Sequence, residues 1–420
     1  MRGVKRNTRH TTHDTHFTIH HCPVSLSYKD ALRNERLNAI EVVLATPFIV
    51  LVTQYVPVLV TRLGASPLLL GILTSGAALM LTLASALGPA WLRRVPDWPR
   101  NISIPLLLWR SVLVWVPLLL FLPALQAEAI VMAVVALNFV AGFSNYTFTT
   151  FLSRMTLPDR LARLVSSRWT MLGIGMAGFT VVLAAILDAL PRPTNYVIAC
   201  ALSLAVGMVG FFVLRQVRPL PLDPQVTTRP RARLRDFLAH PPARDYLLIT
   251  LLAHTAVNAP GPLITLQMVR VLRATDVDFG WYLAIFWVSL AVVGLFTPQL
   301  TERFGNVRVF AAACAGMGLQ LVILAFAPAL PVTWIAGFIG GATSVMLQVT
   351  AYGLMVQCAP AEKFEGYVGA YTAAVNFAVF AGPLAMSAMT DAGLPIAAGL
   401  LIAAAARIAA GALSLRLVTE

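Results

Sequence analysis

The chain has 420 residues, of which 58% are hydrophobic and 12% charged, with a mean hydropathy of +0.77. An ordinary soluble domain carries about 25% charged residues, so the composition excludes a soluble enzyme or binding module. The formal charge of +13 does not indicate a nucleic-acid partner, because the basic residues sit in short stretches between apolar runs, as topology-setting charges do.

Residues 1–36 are polar and hold five of the seven histidines (His10, His13, His16, His20 and His21). They lack the layout of a cleavable signal peptide, and the expectation is a disordered cytoplasmic tail. Twelve apolar segments follow, each close to the ~20 residues a helix needs to cross a bilayer core. They run from Leu37 to Val60, Pro67 to Leu92, Ile102 to Leu122, Ala127 to Phe151, Trp169 to Leu187 and Asn195 to Leu214. After a polar stretch they resume from Tyr246 to Val269, Gly280 to Leu300, Val307 to Phe326, Val332 to Gln357, Val368 to Met389 and Pro395 to Leu415. Backbone groups in lipid must be satisfied within a helix or a closed barrel. The runs are continuously apolar rather than alternating, which selects an all-α membrane protein over a barrel.

Of the 31 Lys and Arg residues, 25 lie in the tail, the C-terminus and the loops after segments 2, 4, 6, 8 and 10. The opposite loops hold Arg62, Arg192, Arg270 and Arg273, while Arg110 and Arg407 fall within spans. Both termini are therefore expected in the cytoplasm. The polar stretch divides the chain six spans to six: a first bundle at 37–214, a cytoplasmic loop at 215–243 and a second bundle at 244–420. Pro219, Pro221, Pro224 and Pro230 keep the start of that loop extended, and Leu234, Phe237 and Leu238 could form a short interfacial helix. The four cysteines have no metal or disulfide spacing.

A weak internal repeat joins the halves. Gly88-Pro89-Ala90-Trp91-Leu92-Arg93-Arg94 aligns with Thr297-Pro298-Gln299-Leu300-Thr301-Glu302-Arg303 at an offset of 209, which also pairs Gly71 with Gly280. A second landmark, Pro158-Asp159-Arg160 against Pro360-Ala361-Glu362-Lys363, aligns at 202.

With six spans, a basic loop, six more spans and both ends inside, the chain resembles the major facilitator superfamily. The motif that carries this best is Leu300-Thr301-Glu302-Arg303-Phe304-Gly305-Asn306-Val307-Arg308 after segment 8; its first copy, Arg93 to Arg100, keeps the basic character without the glycine. The loop after segment 4 is basic too, with Arg154, Arg160, Arg163 and Arg168. The resemblance implies twelve helices in two pseudo-symmetric six-helix bundles, working as a monomer in the cytoplasmic membrane. It also implies that Arg93, Arg94, Glu302 and Arg303 act as gating-loop residues. The alternative for each arginine is a purely topological role. The superfamily's antiporter signature, a Gly-Pro pair in segment 5, is absent; Gly173, Gly175 and Gly178 stand there without it.

Polar side chains at membrane depth are expensive and mark function. Gln54, Asn138, Asn145, Asn258, Gln267 and Gln348 fall in segments 1, 4, 7 and 10, which line the cavity in the superfamily; Gln320 and Asn376 lie elsewhere. Expected cavity residues are Gln54, Tyr55, Asn138, Asn145, Tyr146, His254, Asn258, Gln348 and Tyr352. Ser344, Gln348 and Tyr352 share a helix face, and His254 and Asn258 precede Pro260-Gly261-Pro262, which should break its helix. Interhelical hydrogen bonding is the competing role for any one amide. His254 could exchange protons coupled to substrate, or stay neutral against a neighbouring helix. Glu41 is the nearest candidate partner for Arg110 by depth, and Arg407 is expected to snorkel. The low charge of the spans points to a neutral or weakly charged solute.

The sequence thus reads as a secondary transporter of a small organic solute, with the lipid bilayer and a proton as further partners. No enzymatic activity, metal or cofactor is expected. A transporter-like sensor, or a membrane-embedded transferase, are the alternatives; the transferase would need an acid, base or nucleophile cluster that the outward loops lack.

Overall fold

The computed structural model describes residues 26–95, 97–152, 154–157, 160–220, 240–358 and 364–417. The histidine-rich part of the tail, the loop residues Leu234, Phe237 and Leu238, and positions 158–159 and 360–363 of the repeat lie outside the described residues. Every regular element among the described residues is helical, and twelve helices are long and apolar enough to span a membrane.

The first six are α1 (Tyr28–Arg62), α2 (Pro67–Arg94), α3 (Trp98–Arg110 continued by Val112–Leu119), α4 (Gln126–Leu152), α5 (Leu161–Ala189) and α6 (Thr194–Leu214). The second six are α7 (Pro241–Val271), α8 (Asp276–Phe304), α9 (Asn306–Ala325), α10 (Leu330–Cys358), α11 (Phe364–Asp391) and α12 (Ile396–Ser414). Hydropathy located all twelve. The ends shift most at α1, which starts nine residues before Leu37, inside the expected tail. Ser27 caps it by accepting the Asp30 N–H at 3.1 Å, and the next turns carry polar residues that are buried against protein, which an apolar window cannot register.

Those residues form a lock. Asn34 donates to the carbonyls of Met155 and Arg218, at 3.0 Å each, and accepts from the Arg218 N–H at 3.1 Å. Arg160 grips Glu35 with two bonds of 2.8 and 2.6 Å, the bidentate form that suits a guanidinium and a carboxylate. Arg168 on α5 bonds Asn38 at 2.9 Å and Glu41 at 3.1 Å. The arginines after segment 4 therefore tie α1 to the chain that follows α4. Glu41 accepts its hydrogen bond from Arg168 and acts on Arg110 only through its charge. Arg110 donates instead to the Gly207 carbonyl on α6.

Two spans are interrupted at corresponding places. In α1 a π turn, Leu51–Tyr55, lies between Pro47 and Pro57. In α7 the first segment ends at Asn258, Gly261–Leu266 resumes it, and a π turn at Gln267–Val271 closes it. Proline lacks the N–H that would bond the carbonyl four residues back, so both helices expose backbone acceptors at mid-span. The break expected at Pro260-Gly261-Pro262 is present; the π turn of α1 had no sequence signal beyond its two prolines.

The 209-residue repeat continues in the turns that join these helices to their successors. Gly64 (φ 91°) and Arg273 (φ 52°) both adopt left-handed backbone, and Ser66 and Thr275 cap α2 and α8. Thr275 and Asp278 complete a reciprocal capping box.

The lock at the start of α1 yields a stability prediction. Asn34→Ala strands two carbonyls and an N–H and should lower the unfolding free energy by about 1–3 kcal/mol, while Lys29→Ala on the exposed face stays within about 0.5 kcal/mol. Chemical denaturation of the detergent-solubilised protein measures both; equal, small effects would contradict the assignment.

Candidate substrate pocket and gate

A cavity of about 280 Å³ lies where the interrupted parts of α1 and α7 meet α8, α9, α10 and α12. The π turn of α1 offers it Thr53 and Gln54, and Gln54 accepts a bond from the Thr180 hydroxyl at 3.2 Å. Aromatic side chains of α8 (Phe279, Tyr282, Phe286 and Trp287) form most of one wall. Opposite them stand Gln320 of α9, Ser344 of α10 and Arg407 of α12. The Gln320 amide donates to the Tyr282 hydroxyl at 3.0 Å and its oxygen lies 3.5 Å from Arg407.

Arg407 does not snorkel: it is 2% exposed. Its Nε donates to the Ala256 carbonyl at 3.0 Å, one Nη to Val257 at 3.0 Å and the other to Met317 at 2.6 Å. Ala256 is the carbonyl that Pro260 leaves without a donor, so the guanidinium mends the break in α7. Small neighbours on α12 (Ala403, Ala404 and Ala410, all buried) make room for it.

The halves of the molecule meet at one end. There Arg62, at the end of α1, forms an ion pair with Asp276, at the start of α8, and donates to the Ala274 carbonyl at 3.1 Å. Reciprocally, Arg270 near the end of α7 donates to the Ala65 carbonyl. Ala65 and Ala274 are 209 residues apart, so the pseudo-symmetric turns hold each other. Two helix crossings seal the same end. At Gly71 on α2 an added Cβ would lie 2.8 Å from the Ser387 hydroxyl and 3.2 Å from the Pro383 carbonyl of α11. At its repeat partner Gly280 on α8 it would lie 2.6 Å from Ala184 Cβ of α5 and 3.0 Å from the Tyr55 hydroxyl. Only glycine permits both approaches, which explains the pairing seen in the sequence. Among the described residues, the hydrogen bonds and ion pair between the halves all belong to this clasp.

Of the nine expected cavity residues, Gln54 lines this pocket. Tyr55 is fully buried beside it, donating to the Thr180 carbonyl at 2.9 Å and meeting Phe279 edge-on, so it packs in the sealed seam. Asn138 donates to Val134 of its own helix and Asn258 to His254 of its own, at 2.8 and 2.7 Å. Tyr146 packs on Gly88 of α2. Asn145, Gln348 and Tyr352 are exposed on the parts of α4 and α10 remote from the clasp. His254 contacts the Tyr371 hydroxyl at 3.5 Å, linking α7 to α11. Arg93, Arg94, Glu302 and Arg303 are exposed at the other ends of α2 and α8, with Arg303 over the Phe304 ring. Sequence reasoning missed Asp276, and it read Arg62 and Arg270 only as loop charges.

Residues 246–420 match the family model described as Major Facilitator Superfamily. No curated protein is similar enough in sequence to count as a match. Among solved structures, a nucleoside transporter NupG mutant superposes with a TM-score of 0.72 at 12% identity, covering 92% of this chain and 99% of that one. A D-xylose-proton symporter gives 0.70 at 14%, covering 94% and 99%. A bacterial homologue of the iron transporter ferroportin, in an inward-facing state, gives 0.69 at 11%, covering 94% and 99%. The twelve-helix fold is shared with these transporters over nearly the whole chain. The superfamily's sequence match covers the second half, in line with the resemblance read from the sequence.

The tight seam predicts how the gate responds to overpacking. Gly280→Leu should wedge α8 from α5 and open the clasped end; overpacking of about 1–3 kcal/mol corresponds to roughly a 5- to 150-fold change in population. Labelling of a Thr53→Cys reporter by a bulky, membrane-impermeant maleimide added from the clasp side should accelerate accordingly. An unchanged rate would show that the seam does not gate the pocket.

Proposed function

We propose that this protein is a secondary active transporter that moves a small organic solute across the cytoplasmic membrane by alternating access. The observation that carries the reading is the placement of a polar and aromatic pocket between two halves whose described polar links lie at one end only. A pocket sealed on one side, with bundles free to rock about it, is the arrangement alternating access requires.

The charge distribution supports an orientation. With the tail and the arginine-rich loops in the cytoplasm, the Arg62–Asp276 clasp faces outward, and the conformation described is inward-facing. Arg93, Arg94, Glu302 and Arg303, exposed here at the inner ends of α2 and α8, would act as a gate only when those ends close. His254 contacts Tyr371 and so links α7 to α11.

The lining favours an organic solute over a metal ion. Four aromatic rings, two amides and a guanidinium surround the cavity, and no group of three or more His, Cys, Asp or Glu side chains that could hold a metal occurs among the described residues. The monomer is the working unit in this reading, since both halves of the pocket come from one chain.

Reconstitution tests it. Proteoliposomes preloaded with nucleosides, sugars, organic acids or amino acids should show counterflow of one class. In an Arg62→Cys/Asp276→Cys variant with the native cysteines replaced, oxidation should reduce that flux at least tenfold and a reductant should restore it. Undiminished flux in the cross-linked protein would contradict alternating access through this gate, and absence of flux for every class would favour the sensor.

A further inference from the structure

The pocket contains a positive charge with no negative partner. Arg407 lies within the membrane-spanning region, and among the described residues its acceptors are three backbone carbonyls and the neutral Gln320 side chain. A guanidinium has five N–H donors, and these four acceptors leave one on the Nη that faces Val257. Among the described residues no carboxylate forms an ion pair with Arg407. Arg160 and Arg168 each meet a glutamate, and Arg110, which is held by the Gly207 carbonyl, does not line the cavity. The acids of the surrounding helices stand at helix ends: Asp245 at the start of α7 pairs with Arg244, Glu365 and Asp391 are at the two ends of α11, and Asp276, Asp278 and Glu302 are at the ends of α8.

A second orphan stands in the same cavity. Trp287 lines it, and its indole Nε1–H is buried without an acceptor. A buried donor left unpaired is unfavourable, and so is a buried charge without a counter-charge. One ligand group would relieve both: an anionic oxygen acceptor. The remaining wall, with Phe279, Phe286, Leu283 and Ile264, suits an apolar or aromatic body.

We propose that the substrate class is an organic monocarboxylate, its carboxylate drawn to Arg407 and Gln320 and hydrogen-bonded by Trp287, its apolar body against α8. A single guanidinium already sharing its donors with carbonyls matches one negative charge better than a phosphate dianion. This narrows the neutral or weakly charged solute expected from the low charge of the spans to a singly charged one, and it rests on the transporter reading of the pocket. Mending α7 at Ala256 is compatible with it, because that bond uses Nε and the remaining donor is on an Nη.

Thermal unfolding of the purified full-length protein in detergent tests the proposal, with benzoate and hexanoate against benzamide and hexanamide. Each amide keeps the shape and removes the charge. The carboxylates should raise the unfolding temperature in a saturable manner, with the amides binding at least tenfold more weakly, the range expected for charge-assisted hydrogen bonds. Trp287→Phe should weaken carboxylate binding about tenfold while leaving the unliganded unfolding temperature near that of the parent. Arg407→Lys keeps the charge and loses the fork, and should weaken binding further. Should Arg407→Lys fail to fold, the acid–amide comparison and Trp287→Phe decide alone. Equal protection by acids and amides, protection untouched by Trp287→Phe, or no protection by any monocarboxylate would overturn the proposal. Counterflow of a neutral solute with no carboxylate binding would overturn this inference and leave the transporter reading standing. Carboxylate binding without flux of any solute would do the reverse.

Discussion

The ion pair between Arg62 and Asp276, with the reciprocal bonds to Ala274 and Ala65, is the constraint on which the described conformation depends. Each half contributes a turn and an arginine, and each arginine bonds the turn of the other half. The two turns are related by the 209-residue repeat down to their left-handed residues and helix caps. The symmetry is incomplete: Asp276 has Pro67 at its repeat position, and Arg62 and Arg270 have Val271 and Thr61 at theirs. A single ion pair therefore crosses where a symmetric gate would carry two or none. Its strength comes from a dry setting, with the Asp276 side chain 3% exposed, where Coulomb attraction is less screened than at a surface. Gly71 and Gly280 permit the helices beneath to approach closely enough to exclude water from it.

The membrane imposes a second constraint, that each buried charge finds a partner, and the two halves answer it differently. In the first, Arg160 and Arg168 pair with carboxylates on α1 and so fasten α1 to the chain after α4. In the second, Arg407 is held by carbonyls, one of them made available by Pro260. Those pairs are electrically closed and read as scaffold, whereas Arg110 donates to the Gly207 carbonyl away from the cavity. Arg407 leaves its positive charge beside the cavity, which supports the proposed recognition by the second half and the π turn of α1.

The fold was legible because hydropathy, loop charge and repeat offset all depend on local sequence, and each pointed to twelve spans in two halves. The site was less so. Asn138 and Asn258 looked like cavity amides, yet each bonds a carbonyl one turn back in its own helix, a satisfaction no sequence pattern separates from ligand binding. Arg407 looked like a snorkelling residue because distance to the chain end is visible, whereas a donor deficit in α7 is a tertiary fact. Asp276 was hidden for the same reason: it reads as a first-turn acid of α8 until the halves are docked. Gly71 and Gly280 were visible as a repeat pair, although their purpose appears only where α11 and α5 press on them.

The most direct test of the account is a pair of distance distributions by pulsed electron–electron spin resonance, in a chain whose native cysteines are replaced. One pair of spin labels, at Arg94→Cys and Arg303→Cys, reports the ends of α2 and α8 remote from the clasp; the other, at Ala124→Cys and Ala329→Cys, reports the clasp end. Neutralising the ion pair with Arg62→Gln and Asp276→Asn should shorten the first distance and lengthen the second, as bundles rocking about a central pocket must. Both distances moving together, or neither moving, would contradict a clasp that sets the state of the transporter.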